Sequence, residues 1–293
     1  MKASHTDDFK VKGTFAIAKA PTNIDLDVSD DKIKDQLKET AKHLGEIQEK
    51  MYANNRYGVL VILQGMDTSG KDSLVREVFK WFNPRGMNIF SFKQPSSSEL
   101  EHDYLWRHYL ALPEKGKFAV FNRSHYENVL VTRVNPEYLL KENLPGIEHV
   151  DDIPKDFWKQ RYEQINNFES HLAQNGTIVL KFFLHLSKEE QRERLLRRLD
   201  LASHNWKFSP GDLDEREHWD NYQKFFEEAI NATSKKNAPW FAIPADNKKI
   251  ARLLVAEAIV AELKKYDFKE PEVDEEVLEN INEYKKKLRE EKE

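Results

Sequence analysis

The spacing of apolar residues divides this chain into short apolar runs alternating with amphipathic stretches. Ile33, Leu37, Leu44, Ile47 and Met51 recur at helical spacing behind Ser29, a good N-cap residue, and the pattern stops at Asn54-Asn55; a first helix is predicted there. Beyond it the pattern predicts strand 58–64, helix 70–82, strand 87–92, helix 97–111, strand 117–122 and helix 154–174. Strand 177–186, helices 187–199 and 212–232, strand 240–244 and helix 247–265 follow. Alternation of this kind predicts an α/β fold, a parallel sheet covered on both faces by helices. The run from Thr177 to Leu184 is broken only by Lys181, as expected for a strand buried on both faces.

The ends of the chain read differently. Residues 1–29 lack sustained periodicity and read as an extended arm, with Val11 to Lys19 as the apolar patch. Residues 266–293 are a charged stretch, expected to be a solvated helix with no catalytic part. The expected division is an arm and helix over 1–57, a core over 58–265 and a tail over 266–293.

Composition narrows the class. Hydrophobic residues make up 39% and charged residues 33% of the 293, which fits a charge-rich globular protein and not a disordered one. A net charge of −5 argues against a general nucleic-acid binder, which needs a positive field. Without cysteine there is no disulfide, no thiolate zinc site and no cysteine nucleophile. The first eight residues lack the apolar core of a signal peptide and nothing approaches a membrane-spanning run, so the expected location is the cytoplasm.

Chemistry concentrates at predicted strand ends. Gly65-Met66-Asp67-Thr68-Ser69-Gly70-Lys71-Asp72 directly follows the first strand and opens a helical pattern, which is the context of a phosphate-binding loop. Its glycines let backbone N–H groups converge on phosphate oxygens, and the helix beginning at Lys71 adds its positive dipole end. Lys71 would hold the phosphates. Asp67, and with it Asp72 in the place where such loops usually carry Ser or Thr, would organise a hard dication such as Mg²⁺.

Asn122, Arg123 and Glu127 follow the third predicted strand. Arg123 is the stronger candidate for phosphate, because a guanidinium offers two parallel donors at a strand end aimed into the same crevice. Asn122 and Ser124 read equally well as helix caps, and His125 reads as a hydrogen-bonding residue before a catalytic one. Arg194, Arg197 and Arg198 crowd one helix after the fourth strand. Such a run is ordinarily a solvated face, but its place after the fourth strand is that of a lid, here about 188–212, which closes over phosphates and excludes water. Arg85, Lys93 and Arg133 fall after strand ends or along the same crevice, more cations than one triphosphate needs and the kind of track a long polyanion would use.

In these blocks the chain resembles the polyphosphate kinase 2 family from about Val59 to Leu263: the phosphate loop with aspartate after its lysine, Asp103 to Arg107, Phe121 to Glu127, Trp206-Lys207-Phe208 with Gly211-Asp212-Leu213, and Ala238-Pro239-Trp240 with Ile243-Pro244-Ala245. The resemblance implies a thymidylate-kinase-like P-loop kinase fold with a five-stranded parallel sheet and helical lid. It also implies Mg²⁺- or Mn²⁺-dependent transfer of the terminal phosphoryl of inorganic polyphosphate to a nucleotide, in a homodimer or tetramer. On it, Asp67 and Lys71 become the loop essentials, Arg123 and Arg133 phosphate contacts, Arg194 and Arg198 lid arginines, and Lys93 and Lys207 weaker contacts. Gly65, Met66, Thr68, Ser69 and Gly70 complete the substrate-binding loop. Asn122, where many members carry Asp, together with Glu127 resembles the subclass that accepts both AMP and ADP, with GMP and GDP as further acceptors. Three rivals stand beside this reading: acceptors restricted to nucleoside diphosphates or to AMP, an ATP-dependent small-molecule kinase on the same loop, and a binding module that holds polyanions without turnover.

Overall fold

The computed structural model describes residues 5–291. Five strands, β1 (Gly58–Gln64), β2 (Met87–Ser91), β3 (Phe118–Asn122), β4 (Thr177–His185) and β5 (Trp240–Pro244), form one sheet in the order β2-β3-β1-β4-β5, with every neighbouring pair parallel. This is the expected P-loop kinase arrangement. Because β1 is central, Leu63 lies opposite Asn122 on one side and Phe182 on the other, so the loop after β1 emerges level with the ends of β3 and β4.

The helices are α1 (Asp30–Asn54), α2 (Lys71–Val78), α3 (Ser97–Leu100), α4 (Trp106–Tyr109), α5 (Val131–Val134), α6 (Phe157–Gln174), α7 (Lys188–Asp200), α8 (Gly211–Glu217), α9 (Trp219–Thr233), α10 (Lys248–Leu263) and α11 (Glu275–Glu290). Side chains alternate across the sheet. Val59, Val61 and Leu63 of β1 enter the core formed with α1, α2 and α10, while Leu60 and Ile62 enter the core formed with α6 and α9. With both faces covered, all of β1 is buried, which is why it reads as a continuous apolar run. The Ser29 hydroxyl accepts from the Lys32 N–H at 3.4 Å to start α1, and Asn55, left-handed at φ 51°, ends it.

Three expectations are corrected. The helix predicted over 97–111 is two single turns, α3 and α4. A capping box between Ser96 and Glu99 starts the first, and beyond its end the Asp103 carboxylate accepts from the Leu105 N–H at 2.8 Å, a local turn that competes with continued helix. The helix predicted over 212–232 breaks at His218 into α8 and α9. Nor is the amino-terminal arm merely extended: the Val11 N–H donates to the Trp240 carbonyl and the Ala242 N–H to the Phe9 carbonyl, each at 2.9 Å, and Ile17 is buried. The arm supplies partners for the outer edge of β5, which would otherwise present unpaired backbone groups.

At the other end, Tyr266 and Phe268 pack on Tyr57 before α11, which leaves Val277, Leu278, Ile281, Tyr284 and Leu288 exposed. Among the described residues no helix is long and apolar enough to cross a membrane.

Candidate active site

Backbone geometry explains the glycines of the loop between β1 and α2. Gly65 has φ 152°, and a Cβ there would lie 2.8 Å from the Leu184 carbonyl oxygen of β4; Gly70, at φ 102°, is the N-cap of α2. The loop is braced by α7. Gln191 donates from Nε2 to the Asp67 carbonyl at 3.2 Å, and Arg194 donates from Nη1 to the Thr68 carbonyl at 2.9 Å. Arg194 Nη2 reaches the carbonyls of Ala245 and Asp246 at 2.8 and 2.7 Å, and its Nε reaches Glu190 at 2.7 Å. Carbonyls held by outside donors leave the loop's N–H groups to serve an anion, the arrangement of a backbone nest.

Lys71 folds back into this loop. Its ammonium donates to the carbonyls of Gly65 and Met66 at 2.7 and 3.2 Å and to the Ser69 hydroxyl at 3.3 Å. Burial pushes its pKa down to about 8, with the positive charge of Arg123 adding to the effect. Arg123 in turn bridges two carboxylates, Asp67 and Glu127, the latter at 3.1 Å. Glu127 foremost, then Asp67, holds the guanidinium above its ordinary pKa. Arg123 sits at φ 65°, a left-handed conformation of modest cost for a side-chain-bearing residue, with its N–H donating to the Leu63 carbonyl at 3.1 Å.

Asn122 donates its amide to Asp72 and, at 3.4 Å, to Ser91, so it links the ends of β2 and β3 to the first turn of α2. It is not a helix cap; Ser124 is, accepting from the Tyr126 N–H at 3.2 Å and from the Gln64 amide at 3.2 Å.

The other predicted cations lie in four settings. Arg194, expected as a lid arginine, is buried, and its guanidinium supports the loop from α7. Every donor it turns on the loop meets a backbone carbonyl that burial would otherwise leave unpaired. Arg198 donates to the Lys207 carbonyl at 3.1 Å and to Asp212 at 3.0 Å, pinning the turn Ala202–Lys207. Beyond that pin Trp206 is 79% exposed, with the Lys207 ammonium over its ring. Lys93 is exposed just past the end of β2, beside Asn122. Arg133, expected as a phosphate contact, is held here by other partners. It pairs with Glu228, donates to the Tyr162 hydroxyl at 3.1 Å and lies over the Phe225 ring at 4.2 Å, between α5 and α9.

His125 has the hydrogen-bonding place expected of it, buried with Nε2 3.3 Å from Glu169. The same carboxylate accepts from the Tyr126 hydroxyl at 2.8 Å and pairs with Lys181, which also donates to Tyr126 at 2.9 Å and to the Thr233 carbonyl at 2.8 Å. Lys181 breaking an apolar run was the only signal of this network in the sequence.

Sequence reasoning missed Gln191, Arg216 and Lys248. Arg216 of α8 donates from Nη1 to Gln191 Oε1 at 2.7 Å. A Cβ added to Gly70 would lie 3.9 Å from both Arg194 Nη1 and Lys248 Cε, which puts Lys248 at the loop's mouth, where burial and then Arg194 push its pKa down to about 8. The rule that ligands bind past strand ends could have found Lys248, which follows β5; nothing local marked Gln191 or Arg216.

For Mg²⁺ the donor chemistry fits. Asp67 and Asp72 offer hard oxygens at the loop, and Arg123 is placed on only one oxygen of Asp67. Among the described residues no three His, Asp or Glu side chains are grouped to cage a metal. One or two carboxylates completed by substrate phosphates and water is the set this ion prefers.

Comparison with known proteins places the geometry in context. The chain is 45% identical over 257 residues to an ADP-polyphosphate phosphotransferase of Rhodopseudomonas palustris, an alignment that covers 87% of this chain and 88% of that one. It is 46% identical over 222 residues to an AMP/ADP-polyphosphate phosphotransferase of Meiothermus ruber, covering 76% and 78%. The crystal structure of polyphosphate kinase 2 from Arthrobacter aurescens superposes with a TM-score of 0.87 at 33% identity, over 97% of each chain. The family described as polyphosphate kinase 2 matches residues 27–271, and the chain belongs to the polyphosphate kinase 2 family.

Proposed function

We propose that this protein transfers the terminal phosphoryl group of inorganic polyphosphate to AMP and to ADP, giving ADP and ATP, with GMP and GDP as further acceptors. The observation that carries the reading is the convergence of Lys71, Asp67 and Arg123 at the ends of adjacent strands β1 and β3, around a loop whose carbonyls are held by outside donors. The names of the Rhodopseudomonas and Meiothermus relatives support polyphosphate as donor. The second name and Asn122 support acceptance of both mono- and diphosphate.

Phosphoryl transfer passes through a loose transition state with charge spread over the equatorial oxygens, so positioning and charge neutralisation do most of the catalysis. The loop N–H groups and the start of α2 bind phosphate, and Lys71 leaves its carbonyl partners for phosphate oxygens. Arg123, held between Asp67 and Glu127 without substrate, turns a planar pair of donors to the same charge. Lys93, Lys207 and Lys248 extend the cationic surface for a long polyanion. Mg²⁺ or Mn²⁺ held through Asp67 would supply further neutralisation of phosphate charge. The protein acts in the cytoplasm as a homodimer or tetramer, the assembly being checked by light scattering.

Nucleotide chromatography after incubation with Mg²⁺, polyphosphate and AMP, with ADP and no-polyphosphate controls, tests the proposal. ADP followed by ATP, formed only with polyphosphate, is expected. ATP from ADP with nothing from AMP would overturn the dual acceptor. Product only when ATP replaces polyphosphate would overturn the donor.

A further inference from the structure

A two-bond relay connects α8 to the main chain of the phosphate loop. Gln191, 1% exposed on α7, uses both ends of its amide: Oε1 accepts from Arg216 Nη1 at 2.7 Å, and Nε2 donates to the Asp67 carbonyl at 3.2 Å. The orientation is forced from both sides. A guanidinium has no acceptor, so the amide oxygen must face Arg216; a carbonyl has no donor, so the amide nitrogen must face Asp67. Arg216 Nη1 also donates to the Lys188 carbonyl at 2.8 Å, which ties it to the first residue of α7.

The residue at the far end of this relay is Asp67, whose side chain is paired with Arg123. The same α8 carries Asp212, which is held by Arg198, and Glu215, which accepts from Asn135 at 3.3 Å. The helix that bears the Arg216 end of the relay is thus also the helix fastened to the exposed turn 202–207 through Arg198.

We infer that Gln191 and Arg216 are positioning residues for phosphoryl transfer, setting the main chain at Asp67, and through it the Asp67–Arg123 pair, according to where α8 sits. Both act through the loop and not by touching substrate. The inference rests on the reading of the loop as the phosphoryl-transfer site. A displacement on the order of an ångström in such a group can cost about a hundredfold in rate, so a bond to its carbonyl is enough to matter.

The test is a double-mutant cycle on the full chain, with kcat and KM for polyphosphate measured on ADP for wild type, Gln191→Met, Arg216→Met and the double variant. Wild-type turnover comes first: its absence would remove the underlying reading, separately from this inference. With wild type active, each single variant is expected to lower kcat about tenfold with a smaller change in KM, and the double variant to be no worse than either single, because Arg216 acts only through Gln191. Arg216→Lys, which keeps a donor for Gln191, is expected to recover most of the loss. Arg192→Gln, an exposed change on the same helix, is the control for general effects on α7. Multiplying losses in the double variant, unchanged kcat in Arg216→Met, or a fall in melting temperature that accounts for the lost activity would each overturn the relay.

Discussion

The loop between β1 and α2 and the turn Ala202–Lys207, which we propose as part of a lid, are built on opposite principles. Residues 65–71 are held by Gln191 and Arg194, two buried donors of α7, and Lys71 is itself largely buried. Residues 202–207 hang on Arg198 and exposed local contacts, with Trp206 almost wholly in solvent. The two constructions suit different work, since a nest must exist before phosphate arrives, whereas a lid must admit a long chain and close afterwards. Two arginines four residues apart on α7 show the same division. Arg194 braces the loop from α7 and Arg198, one turn further along the same face, anchors the exposed turn, because the rise of about 6 Å between them carries the second past the loop to Asp212 of α8.

That contrast can be broken most severely inside the loop. Lys71→Ala and Asp67→Ala are each expected to abolish turnover while the chain stays folded, which chromatography of products and a thermal melt on the same samples would check. Near-normal transfer by either would remove the loop from catalysis.

The next effect separates the arginines. Arg194→Met leaves several buried carbonyls and Glu190 without their donor and should destabilise the fold by about 3 kcal/mol. Arg198→Met, losing a partly buried pair beside the exposed turn, should cost less, about 1 kcal/mol. Urea unfolding midpoints decide; equal shifts would mean that the two arginines do the same job.

A pH profile sharpens the loop's side of the comparison. With Lys71 at about 8 and catalysis needing its ammonium, kcat/KM for polyphosphate should fall as pH rises through about 8. The native state binds fewer protons at this site than the unfolded chain between about 8 and 10.5, so stability from this group rises with pH across that window, and Lys71→Met should lose the rise. A flat profile in wild type would show that Lys71 keeps its charge without phosphate.

Smallest are the effects at the lid. Lys207→Ala and Trp206→Ala should change stability by less than about 0.5 kcal/mol, as surface substitutions do. Lys207→Ala should still raise KM for polyphosphate a few-fold and flatten its dependence on salt, because a surface cation facing a polyanion acts through screened charge.

Much of the fold was legible beforehand. Strand positions and the parallel class followed from apolar runs and their helical separators, because a sheet covered on both faces leaves a continuous apolar run in its central strands. The helices over 97–111 and 212–232 were misread as continuous because an Asp103 side chain turning onto its own backbone, and a break at His218, alter hydrogen bonding without disturbing apolar spacing. In the site, the loop and Arg123 were legible from strand-end position. The bracing by Gln191 and Arg194 and the diversion of Arg133 to Glu228 were not, since each depends on partners far along the chain.

What the sequence alone determined is what local chemistry carries: the glycines and lysine of the loop, the caps, the strands and the family they compose. Which cations support the loop, which hold the turn Ala202–Lys207 and which pair with remote carboxylates was decided only by the tertiary structure. A charged side chain reports its type in the sequence, but its role depends on which buried carbonyl or carboxylate the fold brings within hydrogen-bonding distance. That distance is set by the packing of whole elements, α7 against the loop and α5 against α9, and no single segment encodes it.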